Sequence, residues 1–252
     1  MLLIKGREVF FLLKIKEEYF LSLSFRLKRE IKIFYERKGL NMILKVSQID
    51  KGFNNASFEI LENDKSVGAI RIHGEPNSEN SFIKGIFDNN KFSLNYVNRK
   101  YNEKEISNPY IIINNNRAGT VYNPVNSNNI FNKTTHQKLT LDDSMYDCYN
   151  VGFGKEGVKK IIFYDDKQIA LVEYDTLIHN ELFNFNIYVE DSAAALITIL
   201  FIIHSYTTSY FSYEDINFDK VKKVHSITLN KDIKIKYDPE FKEKIINEKT
   251  NS

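Results

Sequence analysis

The sequence predicts an all-β protein with one buried helix: a closed antiparallel barrel of about twelve strands around a central hydrophobic helix. Three observations predict it. Short runs of alternating apolar and polar residues recur along the chain, separated by Asn-, Asp- and Gly-rich turns. Long amphipathic helices do not intervene between these runs, so the pattern is not that of βαβ units. One late segment, 191–211, is apolar on every side of a helix: between Ala193 and Ile203 only Thr198 is polar. Such a helix must be buried on all faces, and a barrel of this size has an interior too wide for its own side chains to fill. Each feature supplies what the other lacks.

Taken in order from Met42, strands are expected at 43–49, 56–62, 67–73, 81–87 and 92–97, where β-branched and aromatic residues alternate with polar ones. Lys51-Gly52, Asn63-Asp64-Lys65, Gly74-Glu-Pro76 and Asp88-Asn-Asn90 supply the turns. A hairpin about Asn114-Asn-Asn-Arg117 joins 109–113 to 118–122. The polar stretch 123–136, which contains Pro124, reads as a long loop. Strands follow at 145–152, 158–164, 168–173 and 183–189, the last alternating cleanly. Asp191 and Ser192 then offer N-cap chemistry to a helix over 192–211. The remainder, 212–252, is a polar C-terminal extension. A hairpin is expected there at His225 to Tyr237 about Asn230-Lys-Asp232, and Asp238-Pro239 opens a short amphipathic helix through Ile246. From Asn247 the chain reads as disordered.

Composition is that of an ordinary globular protein, with 42% hydrophobic and 27% charged residues, enough for a sizeable core. The single Cys148 excludes an intramolecular disulfide and fits a reducing compartment, hence a cytoplasmic protein. Frequent Asn, Lys and Ile point to an AT-rich, bacterial genome. A net charge of +2 is too small to argue for nucleic acid. The leader 1–41 stands apart, with about ten Lys or Arg against five Glu. Glu8, Lys14, Lys16, Glu17 and Glu18 interrupt any signal-peptide core. Two readings remain: a basic amphipathic helix lying on a membrane or partner, or a leader that is not naturally translated. Codons for Glu36-Arg37-Lys38-Gly39 can spell a purine-rich ribosome-binding site just before Met42, which makes Met42 the expected start. Pyrimidine-rich wobble positions across codons 36–42 would rule that out.

The greasy helix is not expected to span a bilayer. Its strongly apolar part covers about eleven residues, against roughly twenty needed to cross. Its flanks, Glu190-Asp191 and Glu214-Asp215, are acidic rather than basic. The order of short antiparallel hairpins, with the alternating strand Phe183–Val189 leading directly into this helix, resembles the tubby C-terminal-like superfamily. That group includes the LURP-one-related and phospholipid scramblase domains. The hairpin Val158–Glu173, with Asp165-Asp-Lys167 at its turn and Ile169-Ala-Leu-Val-Glu173 on the return, is similar to that of small bacterial members. The resemblance covers roughly Met42 to Phe211 and is one of pattern. It implies a closed twelve-stranded barrel around a central helix, and a lipid- or protein-binding role. Two features depart from it: some forty residues follow the helix, and no Lys/Arg cluster of the kind that holds phosphoinositide headgroups stands out along the chain.

No catalytic machinery is legible. Gly152-Phe-Gly154-Lys-Glu-Gly157 matches a dinucleotide fingerprint in spelling, but a strand-like run follows where a helix N-terminus is needed. A kinase glycine-rich loop would want a Lys on the return strand, which offers Ile169-Ala-Leu-Val instead. His73, His136, His179, His204 and His225 are scattered, with no metal-ligand spacing and no second Cys near Cys148. His204 reads as a core histidine and Cys148 as a structural thiol. Glu173 and Glu190 read as isolated solvent-facing carboxylates rather than an acid–base pair. Lys91-Phe-Ser-Leu-Asn-Tyr96 interleaves aromatics with charge, as alternating strands do by default.

The sequence therefore names no catalytic, cofactor-binding or metal-binding residue, and no cofactor. The expectation is a non-catalytic binding or scaffolding domain acting on anionic phospholipid at the inner membrane face, or on a protein partner. The alternative is a small-ligand carrier or enzyme using a cavity at the barrel mouth.

Overall fold

A computed structural model describes residues 41–52, 55–74, 82–95, 98–101, 104–107, 109–124, 136–153, 157–175, 177–178, 182–209, 222–223 and 231–250. The chain divides into two units, Met1–Gly39 and Leu40–Ser252. The leader expected at 1–41 lies outside the described residues except for Asn41.

Strands β1 (Met42–Gly52), β2 (Asn55–Glu62), β3 (Lys65–His73), β4 (Phe82–Phe87) and β5 (Asn90–Asn95) open the fold. A small side hairpin, β6 (Asn98–Tyr101) with β7 (Lys104–Ser107), follows. Then come β8 (Tyr110–Ile113), β9 (Asn116–Tyr122), β10 (His136–Leu141), β11 (Ser144–Gly152), β12 (Val158–Tyr164) and β13 (Lys167–Tyr174). After the two-residue β14 (Leu177–Ile178), β15 (Asn184–Val189) leads into helix α1 (Ser192–Ser209). The chain ends with β16 (Lys222–Lys223), which pairs with β14, and helices α2 (Lys231–Lys236) and α3 (Phe241–Thr250). The main sheet closes on itself in the order β1-β15-β13-β12-β11-β10-β9-β8-β5-β4-β3-β2, every neighbour antiparallel. Twelve strands form the ring, and the seam is β1 against β15, with Val46 opposite Phe185.

Because neighbouring strands run in opposite directions, the β2–β3, β4–β5, β8–β9, β10–β11 and β12–β13 turns all lie at one end. Each is a two-residue turn built from Asn or Asp. Asn63, Asp64, Asp88, Asn89, Asn114, Asn115, Asp142, Asp143 and Asp165 adopt positive φ, the left-handed region these side chains tolerate and a tight hairpin requires. Helix α1 starts at this acidic rim. Asp191 caps it, its carboxylate accepting the Ala194 N–H at 2.7 Å, an interaction worth about 1 kcal/mol.

The helix occupies the barrel interior. Phe58 of β2, Gln48 of β1, Lys160 of β12 and Gln137 of β10 all belong to contacts or hydrogen-bond chains that reach its C-terminal half. Since β2 and β10 stand on opposite sides of the ring, only a central helix meets both. Every residue from Ala193 to Thr207 is buried. Buried hydroxyls of the helix are satisfied by bonding back to its own backbone, Thr198 to the Ala194 carbonyl and Thr207 to the Ile203 carbonyl. No helix among the described residues is long and apolar enough to cross a membrane.

Three expectations need correcting. His136–Leu141 begins at the end of the expected loop 123–136, yet it is a full barrel strand paired with β9 and β11. The hairpin expected at His225 to Tyr237 does not form over 231–236, which is helical; Ile233 there packs into an apolar cluster. The helix expected to stop at Ile246 runs to Thr250, so 247–250 are ordered, with Lys249 on Glu62 and Glu248 on Asn41. The extension thus has a structural task. Ile233, Phe241 and Ile245 cover Val151, Ile161, Phe163, Leu171 and Tyr188 on the outer faces of β11, β12, β13 and β15. That explains why those strands are apolar on both faces, against the usual alternation of a half-exposed sheet.

Candidate functional site

Two places gather chemistry-bearing side chains, one inside the barrel and one on its wall. Inside, the Lys160 amine donates to Asn150 Oδ1 and Ser205 Oγ, each at 2.7 Å, and Ser205 donates to Gln137 Oε1 at 2.7 Å. Burial lowers the Lys160 pKa. Burial, opposed by the Lys160 charge, pushes the Cys148 thiol up to about 11. Burial first and the Lys160 charge second push His204 down to about 4. Lowered amine and histidine pKa values are what an active site uses, but this cluster is sealed. Lys160 and Cys148 are 1% exposed and His204 2%. A thiol held at about 11 is not a nucleophile at neutral pH. The arrangement joins helix to barrel; it presents nothing to a substrate. Gln48 does similar work at the same end, its amide donating to the Tyr206 hydroxyl at 2.9 Å while its oxygen accepts the Phe183 N–H.

The other sequence candidates fall elsewhere. His136 Nε2 lies 2.5 Å from Asp147 Oδ1 and its ring stacks on Tyr149, a pair that sequence spacing did not show. Cys148, the adjacent nucleophile type, projects to the opposite face of the strand, so it is not a partner for this His–Asp couple. Glu173 and Glu190 are not isolated. Glu173 takes Lys159 at 3.2 Å and Lys242 at 2.7 Å, which hold its carboxyl below the usual range against burial, and Glu190 takes Lys167 at 2.8 Å. The Gly152–Gly157 segment precedes a strand, and Phe153 N–H donates to the Gly157 carbonyl. His73 stacks on Phe82 at the end of β3, whereas His179 and His225 lie outside the described residues. Among the described residues, no group of three or more His, Cys, Asp or Glu side chains could hold a metal ion.

The wall site lies on the outer faces of β3, β4, β5 and β8, a shallow groove of about 560 Å³. Register builds it. Arg71 stands opposite Lys84, Lys84 opposite Ser93, and Ser93 opposite Ile112; one step along, Ala69 faces Ile86 and Ile86 faces Lys91. Small Ala69 and Ser93 leave the hollow, and three long cationic side chains surround it. Gly85 admits the Phe92 ring against its backbone from the inner side, where a Cβ would come within 2.3 Å of the ring. Lys84 Nζ lies 4.9 Å from the Phe82 ring centroid. Among the described residues, none of Arg71, Lys84 and Lys91 takes part in an ion pair. Three uncompensated cations about an apolar floor can hold an anionic group but supply no acid, base or nucleophile. Sequence reasoning missed this cluster because its members sit on three strands, and only the pairing register brings them together.

Scans against known protein families, curated proteins and solved structures each find no match to this chain.

Proposed function

We propose that this protein is a non-catalytic binding domain that docks peripherally on an anionic phospholipid surface through the Arg71–Lys84–Lys91 groove. The observation that carries the reading is that groove: three cations that form no ion pair among the described residues, gathered on one wall of a chain whose net charge is only +2. The filled interior supports it, since a barrel plugged by its own helix leaves the outer wall for recognition. The likeness to tubby-like domains points the same way, and a reducing compartment fits a protein whose single cysteine is buried. Together these support binding at the inner membrane face.

Sedimentation of the full chain with neutral and with anionic vesicles, across a salt series, tests the proposal. The wild-type chain is expected to pellet with anionic vesicles only, and less so as salt rises. Each cation near such a surface contributes about 1 kcal/mol, so the double reversal Arg71→Glu with Lys84→Glu should weaken binding by at least about a hundredfold. Equal pelleting by wild type and the double variant would defeat the proposal. Absence of pelleting would defeat it too, and would turn the search toward a protein partner.

A further inference from the structure

The geometry points to a side-on mode of docking in which Ile86 enters the acyl region of the bilayer while Arg71, Lys84 and Lys91 take the headgroup phosphates; this rests on the lipid reading above. Ile86 is 49% exposed, unusual for a large aliphatic on a middle strand. Its cross-strand neighbours are Ala69 and Lys91, and Lys84 follows two positions back on the same face. The outer face of β4 therefore reads Phe82, Lys84, Ile86: apolar, cationic, apolar, with Arg71 to one side and Lys91 to the other. Apolar groups ringed by cations at one level match the bilayer boundary, where anionic headgroups overlie hydrocarbon.

Ile49 is 58% exposed but sits at the bulge of β1 beside Asp50, outside the residues that line the groove, and the three further exposed large apolar residues among those described also lack this setting. Met145 touches Lys138, which is paired with Asp147; Tyr164 stands opposite Lys167, which is paired with Glu190; Ile235 adjoins Lys236, which is paired with Asp166. Ile86 instead adjoins Lys84 and Lys91, which form no ion pair among the described residues. Glu59 on β2 stands opposite Ala69 and sets an acidic limit to the contact on that side. An acidic protein would satisfy the cations equally well, but it has no need of a bare aliphatic at their centre.

Site-specific labelling separates the two. Cys148 is 1% exposed with its thiol pKa at about 11, so a cysteine placed on the surface of the full chain is the one that labels. An environment-sensitive fluorophore on Ile86→Cys should shift to the blue with phosphatidylserine-containing vesicles and not with phosphatidylcholine alone. The same label on Met145→Cys, five strands away round the ring of twelve, should stay unchanged. Ile86→Asn should lower vesicle binding about tenfold, and Lys84→Gln about fivefold. Pelleting of wild type with no shift at position 86, or equal shifts at 86 and 145, would overturn the docking mode and leave the lipid reading standing. Absence of wild-type pelleting would overturn both.

Discussion

Gly119→Ala is expected to cost about 3 kcal/mol or more, a large share of the roughly 5–15 kcal/mol that holds a domain folded. Gly119 lies on β9 between Ile111 of β8 and Leu141 of β10. A Cβ there would sit 1.8 Å from the Thr140 carbonyl oxygen and 2.8 Å from its carbonyl carbon. Both atoms belong to the ladder that closes the barrel, so relief means breaking the β9–β10 pairing. Gly52→Ala is the matched control. Its Cβ meets only the Asn55 side chain, at 2.5 Å, and a flexible amide can swing away. Urea unfolding midpoints of the two variants decide the matter. If Gly119→Ala is tolerated as well as Gly52→Ala, the close strand approach described here is wrong.

The second large effect is on acid stability. His204 is held neutral inside the barrel, with its pKa lowered from 6.5 to about 4 by burial and then by the Lys160 charge. The unfolded chain takes up a proton near pH 6.5 that the folded chain refuses until about pH 4. Stability contributed by this group is therefore complete above pH 6.5, falls as pH drops, and levels off below about 4. At 1.36 kcal/mol per pKa unit the loss amounts to about 3 kcal/mol. Glu173 and Asp238, whose pKa values are also lowered, lose their contributions only below the ordinary carboxylate range. Lys160, whose amine burial also lowers, shares this cluster, so the comparison with a His204 variant is what isolates the histidine between pH 6.5 and 5. Replacing His204 with Gln should lower stability at pH 7 and flatten the slope of melting temperature against pH across that window. An unchanged slope would mean that His204 is not the buried proton-refusing group.

Much of this architecture was legible in the residues, because alternation and turn chemistry are local signals. Asn63-Asp64, Asp88-Asn89, Asn114-Asn115 and Asp165-Asp166 marked four of the five tight hairpins, and the helix declared itself by being apolar all round. What failed was where tertiary structure inverted a local signal. In His136–Leu141 the first inward residue is Gln137, polar because it meets Ser205 on the helix, which leaves only Leu139 and Leu141 as an apolar signal. Lys231–Lys236 alternates apolar and polar like a strand. It folds as a helix, with Ile233 buried against the apolar outer wall and Ile235 left exposed, a case of packing overriding propensity. The groove was illegible for another reason. Arg71, Lys84 and Lys91 are ordinary solvent-facing strand residues one at a time, and no local window contains all three.

The helix that fills the barrel comes after every strand that surrounds it, which constrains the order of assembly. Ring neighbours follow one another in the chain, apart from β5–β8 across the β6–β7 hairpin and β13–β15 across β14, until the seam, where Met42 meets Val189. If that seam closed first, α1 would have to thread a finished ring. On the ribosome the strands must instead wait as an open, curled sheet, with its apolar face uncovered, until residue 209 has emerged. The helix then lies down on that sheet, and β1 closes against β15 over it. Last to arrive is α3, which contacts β1, β13 and β15. Its Lys249–Glu62 and Lys242–Glu173 ion pairs fall on opposite sides of the join. The tail is in the right place, and arrives at the right time, to bolt the closed seam from outside.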